Sequence, residues 1–389
     1  MNPNAEFDVV VYGATGFTGK LVAEYMNARY PAGSGTRWAI AGRSEEKLRS
    51  VVEEFALPAD TTLIVADASD PVSLKALAER AKCVLTTVGP YTLYGEPLVA
   101  ACAVVGADYV DLSGEPLWMR DMIDRYSDKA KASGARIVHS CGFDSIPFDL
   151  GVQFLQEEAV KRFGSPLARV KGRMRAMQGT FSGGTAASGK ATMAAVKKDP
   201  SLFSVLIDPF ALAGGFRGPE QPKGDKIIEE DGVWAAPFFM APINTKNVHR
   251  SNALLGHPYG EDFVYDEMMV AGPGEKGKAA AEFIASLTIG GGEGGPKPGE
   301  GPPKEEREAG HYTYAATGVG PSGEPLTVVV TGDKDPGYGS TSKIISEAAI
   351  CLVTECEGLP GGVYTPAPAM GPALRRRLIA NAGLTFEVE

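Results

Sequence analysis

"VVVYGATGFTGK", residues 9 to 20, sets a short apolar run against three glycines spaced three apart, Gly13, Gly16 and Gly19. Val9 to Val11 have the β-branched character of a strand covered on both faces, and the "KLVAEYMNARY" that follows has the apolar spacing of a helix. A turn this bare between strand and helix suits a phosphate. The phosphate must reach main-chain N–H groups at a helix N-terminus, where the helix dipole favours negative charge. Glycine turns are common, so the motif gains its weight from the strand and helix that flank it.

The same rhythm continues to about residue 145. Strand-like "RWAIAGR", "TLIVADA", "CVLTTVG", "DYVDLSGE" and "ARIVHSCG" alternate with helical "EEKLRSVVEEF", "PVSLKALAERA", "PLVAACAVVG" and "MIDRYSDKAKASG". Alternation at this spacing implies parallel strands joined by crossover helices, a doubly wound Rossmann sheet. After Leu150 the pieces become longer and richer in Gly, Ser and Thr, as in "RMRAMQGTFSGGTAASGKATMAA" and "DGVWAAPFFMAPINTKNVHRSN", which read as strand-like or irregular. "GHYTYAATG" and "PLTVVVTGDK" read as strands, and "STSKIISEAAICLVTE" as a helix with Gly358 beyond its end. The glycine- and proline-rich stretch from 290 to 303 reads as a mobile loop, having almost nothing apolar to bury. The expected fold is therefore α/β. Residues 1–150 form the dinucleotide-binding domain, 151–335 a second, α+β domain, and 336–389 a helix and tail.

Composition excludes several classes. A formal net charge of −10 speaks against a general nucleic-acid binder, whose affinity rests on neutralising phosphates. The one basic cluster, Arg375 to Arg377, reads as the solvated face of a helix. Five scattered cysteines without zinc spacing point to a reduced, cytoplasmic protein with no metal site. The N-terminus lacks a basic and an apolar leader region, and no segment approaches the ~18 apolar residues of a membrane span.

Roles follow from position in such a sheet. Gly13 makes the tight turn, Gly16 lets the backbone approach a pyrophosphate, and Gly19 lets helix and strand pack closely. Ala14, Thr15, Phe17 and Thr18 complete the loop, the two threonines offering hydroxyl donors. Where an NAD site carries an acidic residue, the second strand ends in Arg43 and Ser44, which suit a 2′-phosphate and favour NADP(H). Asp67 falls at the end of the third strand, near the expected adenine. After the fourth strand, Thr87, Val88, Gly89 and Pro90 make a sharp turn beside the expected nicotinamide ribose, and Tyr91 and Tyr94 are the candidate catalytic proton donors. His139 and Asp144 lie near the close of the alternating region: capping explains Asp144 as well as catalysis does, and His139 reads more readily as a hydrogen-bonded structural residue than as a proton donor. No nucleophile elbow, Walker lysine, metal-binding histidine pair or Tyr-x-x-x-Lys is present.

"VYGATGFTGKLVAEY", "WAIAGRS", "TTVGPYTLYGEPLVAACAVVGADYVDLSGE" and "CGFDSIPFDLG", with "APINTKNVHRSNAL", "GHYTY" and "GGVYTPAPAMG", resemble the saccharopine dehydrogenase-like oxidoreductases, in particular the trans-acting enoyl reductase branch. The resemblance implies an inserted domain covering the cofactor and a C-terminal helix returning to the Rossmann side. It also implies NADPH-dependent reduction of an enoyl intermediate of polyketide or lipid type, free or carrier-bound. No arginine cluster that would clamp a dicarboxylic amino acid is evident in the second domain. A homodimer is compatible with the chain. Two other readings stand beside this one: a nucleotide-bound scaffold or redox sensor without turnover, and a saccharopine-type amino-acid dehydrogenase.

The cofactor assignment is testable. Arg43→Ala should weaken NADPH binding by the loss of one charge-assisted contact, on the order of 1.5 to 3 kcal/mol, and leave NADH binding unchanged. Isothermal titration with both cofactors measures this, and equal wild-type affinity for the two would refute the assignment.

Overall fold

The computed structural model describes residues 5–179, 183–287 and 300–389. Most of the glycine-rich stretch expected to be mobile, residues 290–299, lies outside the described residues.

The first sheet is built from β1 (Phe7–Tyr12), β2 (Trp38–Gly42), β3 (Leu63–Val65), β4 (Ala81–Thr86), β5 (Asp108–Val110) and β6 (Arg136–Val138), all parallel. Between them run α1 (Phe17–Arg29), α2 (Glu45–Glu54), α3 (Pro71–Glu79), the short α4 (Tyr91–Tyr94), α5 (Glu96–Val105) and α6 (Pro116–Ser133). The caps follow the sequence. Ser44 and Asp70 accept first-turn N–H groups of α2 and α3, while Gly106 and Gly134 end α5 and α6 in the left-handed region.

Helix α7 (Ile146–Phe163) leads to the second half, which comprises β7 (Arg169–Gln178), α8 (Gly183–Lys198), α9 (Phe203–Ile207), β8 (Ile228–Glu230), β9 (Val233–Pro237), α10 (Ala241–Leu254), β10 (Val264–Pro273), α11 (Gly274–Ser286), α12 (Lys304–Ala309), β11 (His311–Val319) and β12 (Pro325–Gly332). The chain closes with α13 (Thr341–Glu355), β13 (Gly362–Tyr364), α14 (Pro366–Arg377) and β14 (Leu384–Val388). Strand order is β13-β6-β5-β4-β1-β2-β3 in the parallel sheet and β14-β12-β11-β7-β10-β9-β8 in the mixed one.

Two elements differ from the sequence reading. The stretches taken as irregular contain α8 and α10, and α10 hides its period because Asn244, Asn247 and Ser251 are buried with partners instead of facing water. The C-terminal segment also does more than return to the Rossmann side. Helix α13 packs on β1, β4 and β5, and β13 extends the parallel sheet beyond β6, but β14 pairs with β12 of the second sheet. One apolar core accordingly runs from Val9, Val11 and Leu85 through Ile344 and Ile345 to Phe148, Tyr314 and Val330.

The basic cluster is corrected too. Arg375 pairs with Glu157 at 2.7 Å, and Arg377 pairs with Glu355 and the fully buried Glu347, both at 2.9 Å. Glu347 also accepts from Tyr25 and Tyr30. These contacts bind α14 to α7, α13 and α1, and only Arg376 resembles a solvated side chain. All five cysteines are buried and unpaired by disulfides. No helix among the described residues is long and apolar enough to cross a membrane.

A second buried pair joins the strand ends. Arg136 makes a two-pronged contact with Asp108 and also donates to the Cys356 carbonyl, fastening β5 and β6 to the end of α13. Removing one partner of such a pair strands the other charge in the core. Asp108→Ala should therefore cost about 3 to 5 kcal/mol of stability, read by chemical denaturation. A loss below about 1 kcal/mol, as for an exposed pair, would show that Arg136 finds water or a new partner.

Candidate functional site

The glycine turn is built as a close crossing. Gly13 has φ +91°, and a Cβ there would sit 2.7 Å from Val88 Cγ2 and 2.9 Å from Thr87 Oγ1. Thr87 donates its N–H to the Tyr12 carbonyl and its hydroxyl to the Gly13 carbonyl. The β1–α1 turn and the β4–α4 turn thus touch, bringing Gly13, Thr87 and Val88 to one place. A Cβ on Gly19 would lie 2.1 Å from the Gly13 carbonyl oxygen, so helix and turn meet backbone to backbone. Gly16 is different: it is the N-cap of α1, and its Cβ would meet only the Gly13 oxygen, at 3.3 Å. No side chain caps this 13-residue helix, which leaves its leading N–H groups to an anion. A bare backbone, an uncapped helix and open space at Gly16 fit a dinucleotide pyrophosphate.

The adenosine end is held by β2 and β3. Thr15 lies 3.5 Å from the Cβ position of Gly42, and Arg43 follows, exposed and without an ion-pair partner among the described residues. Arg43 and Asp67 are within electrostatic reach of each other and of Tyr12. Burial, and after it the Asp67 carboxylate, pushes the Tyr12 phenol up to about 12, while Arg43 opposes the shift. Hydrogen bonds from Ser69, aided by Arg43, hold Asp67 below the usual carboxylate range. Ser44 is engaged as an acceptor from the Lys47 N–H, which leaves its own proton to donate.

At the opposite end, Gly89 and Pro90 lead into α4, and the two tyrosines part company. Tyr91 is buried, its hydroxyl donating to the Thr86 carbonyl and accepting the Leu112 N–H, its ring 5.2 Å from Trp118. Burial pushes its phenol well above the ordinary value. The expectation that Tyr91 points towards substrate is thus not met, because both functions of its hydroxyl are consumed inside the fold. Tyr94 is exposed, with no hydrogen-bond partner among the described residues.

The residue that organises this end went unnoticed in the sequence. Glu115, buried, accepts from the Tyr91 and Thr92 N–H groups at 2.9 and 2.8 Å, from the Thr92 hydroxyl, and from Ser188 of α8 at 2.7 Å. It caps α4 from another loop and ties the second half to the first. His139 is buried as well. Its Nδ1–H meets Asp111 Oδ2 at 2.7 Å, and Asp111 Oδ1 accepts the Ser113 and Ser140 N–H groups. In the second half, Glu267 accepts from Tyr265 and Asn244, Tyr265 touches the Tyr314 hydroxyl, and burial raises the Glu267 carboxyl to about 8. No group of His, Cys, Asp and Glu suited to a metal occurs among the described residues.

A doubly wound sheet whose first turn is shaped for pyrophosphate defines a dinucleotide-binding protein. Residues 9–138 match the saccharopine dehydrogenase NADP binding domain, so the cofactor is NADP(H). The chain is 42% identical over 418 residues, 98% of its length and 97% of the relative's, to a provisionally named trans-acting enoyl reductase of Mycobacterium tuberculosis. It is 40% identical over 407 residues, 96% of each chain, to a trans-acting enoyl reductase of Mycobacterium bovis. Among solved structures, the apo saccharopine dehydrogenase (L-Glu forming) of Saccharomyces cerevisiae shares the fold at a TM-score of 0.56 and 12% identity, covering 98% of this chain and 99% of that one. The chain belongs to the saccharopine dehydrogenase-like family, in its trans-acting enoyl reductase branch, and is an NADP-dependent oxidoreductase.

The two glycines separate fold from binding. Gly16→Val should leave the melting temperature near that of the wild type and abolish NADPH binding. Gly19→Ala must move backbone and should lower the melting temperature markedly. Normal NADPH binding by Gly16→Val in a fluorescence titration would reduce this loop to a plain turn.

Proposed function

We propose that the protein reduces the C=C bond of an enoyl thioester with an apolar acyl chain. The reading is carried by the state of the cations in the second half. Lys246 donates to the Leu206 and Pro242 carbonyls, Arg250 to those of Leu212 and Val363, and Arg173 pairs with Glu230 and Asp266. None of these three cations is left for a substrate carboxylate, which disfavours an amino-acid substrate of saccharopine type. Exposed apolar side chains border the β4–α4 turn instead. Leu93 and Tyr94 of α4 are exposed beside α8, which carries the exposed Met193. The names of the relatives support an enoyl substrate.

Gly13 to Gly19 would hold the pyrophosphate, Arg43 and Ser44 the 2′-phosphate, Asp67 the adenosine end, and Thr87 to Pro90 the nicotinamide ribose. NADPH, when bound, supplies a hydride to the β-carbon of the substrate. The protein's part is to hold the thioester against that face, keep water out and deliver a proton to the α-carbon. Tyr91 serves by fastening the β4–α4 turn to β5, and Tyr94 borders the acyl chain.

Purified protein should oxidise NADPH when given octenoyl-coenzyme A, and more slowly with crotonyl-coenzyme A, whose shorter chain covers less apolar surface. Formation of the saturated thioester, followed by mass spectrometry, is the readout. Oxidation of saccharopine with no turnover of either thioester would establish the amino-acid dehydrogenase instead, and tight NADPH binding with no turnover of any of these would leave the scaffold.

A further inference from the structure

We propose that Asp144 is the group that delivers the proton to the substrate α-carbon, an inference that rests on the reductase reading above. Asp144 stands in the β6–α7 loop, on the carboxyl side of the parallel sheet where ligands of such folds bind. The adenosine-side candidates Arg43 and Asp67 end β2 and β3. The other half of a dinucleotide therefore extends past β4 towards β5 and β6, under this loop.

Four carboxylates occupy that edge, and the three besides Asp144 are buried and hydrogen-bonded, Asp149 through one of its two oxygens. Asp111 holds His139 and two main-chain N–H groups, Glu115 caps α4, and Asp149 accepts the Ala367 N–H at the start of α14. Asp144 accepts no hydrogen bond from another residue and forms no ion pair among the described residues. Part of the residue reaches the surface, while its carboxyl is enclosed.

Its surroundings are nevertheless fixed. The Phe143 N–H donates to Thr341 Oγ1 at 2.9 Å, the Ser145 N–H to the Ser140 carbonyl at 3.0 Å, and Asn247 Nδ2 to Ser145 Oγ at 2.8 Å. A free carboxyl between two pinned neighbours is how a reacting group is preorganised. The carboxyl leans over Gly114, where a Cβ would come within 3.3 Å of Asp144 Oδ2. Gly114 has no left-handed conformation to explain it, so what the glycine provides is clearance around that oxygen.

Burial raises the Asp144 carboxyl to about 7, opposed only by its own backbone, and no neighbouring charged side chain contributes. The acid form is thus present at neutral pH and can reload from water. The step balances. As the hydride reaches the β-carbon, the C=C pair moves towards the α-carbon as an enolate. The Asp144 O–H bond breaks, its proton forms the new α-carbon C–H bond, and the carboxylate left behind takes a proton from solvent.

Asp144→Asn and Gly114→Ala are compared with the wild type on octenoyl-coenzyme A, with NADPH affinity from fluorescence and the carboxyl titration of the cofactor-free protein from infrared spectra. The Asn variant should bind NADPH as the wild type does and lose about 100-fold or more in kcat. Its rate should also lose the fall with rising pH that the wild type shows as Asp144 ionises, and its spectra should show one carboxyl fewer titrating near pH 7, the one that stays being Asp149. Gly114→Ala keeps the carboxyl but crowds it, and should slow the same step without weakening NADPH binding. Wild-type rates in the Asn variant, persistence of its fall with pH, or NADPH binding lost in step with rate would each overturn the assignment of Asp144. Should the Asn variant fail to fold, an unimpaired Gly114→Ala would overturn it. A wild type inert towards the thioester overturns the reductase reading and this role with it.

Discussion

The Gly13 carbonyl is the point on which the nucleotide half depends. It accepts the Gly16 N–H at 2.9 Å and the Thr87 hydroxyl at 3.3 Å, and it lies where any side chain on Gly19 would have to be. A single oxygen thereby sets the turn after β1, the angle at which α1 leaves it and the distance to the β4–α4 turn. Helix α1 then packs against α13, so an error of an ångström at this carbonyl would be carried into the core shared by both halves. Bare backbone is needed at Gly13 and Gly19 for packing alone, whereas at Gly16 the fold itself asks for nothing.

Glu115 plays the corresponding part at the other end. One carboxylate closes the first turn of α4, where main-chain N–H groups would otherwise be orphaned, and reaches Ser188 of the second half. Charge-assisted hydrogen bonds of this kind are roughly twice as strong as neutral ones. They place α8 against α4 without a large apolar contact, which keeps Leu93, Tyr94 and Met193 exposed for other use.

Most of the Rossmann half is legible in the sequence because its signals are local. Strand and helix alternate over 145 residues, the glycines fall at the first crossover, and Arg43 falls at the second strand end. The second half resists the same reading. Helix α8 begins in glycine and threonine, whose propensities oppose it, and α10 is held by side-chain partners from remote segments instead of by an apolar stripe. Site residues fail for the same reason. Tyr91 looks like a donor until Leu112 and Thr86 are seen to engage its hydroxyl, Glu115 is an ordinary acidic residue until its neighbours are known, and Asp144 reads as a cap as readily as a catalytic group. Whether a carboxylate is spent or free is a property of contacts across the chain, on which spacing is silent.

The C-terminal segment constrains how the two halves relate. It gives β13 to the edge of one sheet and β14 to the edge of the other, so any relative movement of the sheets must be absorbed between Tyr364 and Leu384. That stretch is itself held. Asp149 accepts the Ala367 N–H, Arg375 reaches Glu157, and Arg377 is locked between Glu347 and Glu355. With both ends fixed by strand pairing and the middle by buried or half-buried ion pairs, a wide hinge would have to break several charge-assisted contacts together. The lightly packed border is elsewhere, along α4, α8 and α9, where exposed apolar side chains meet water. An apolar chain of the kind proposed above would enter at least cost on that side. This arrangement leaves the Asp144 loop, pinned to α13 through Thr341 and to α10 through Asn247, undisturbed while a substrate enters.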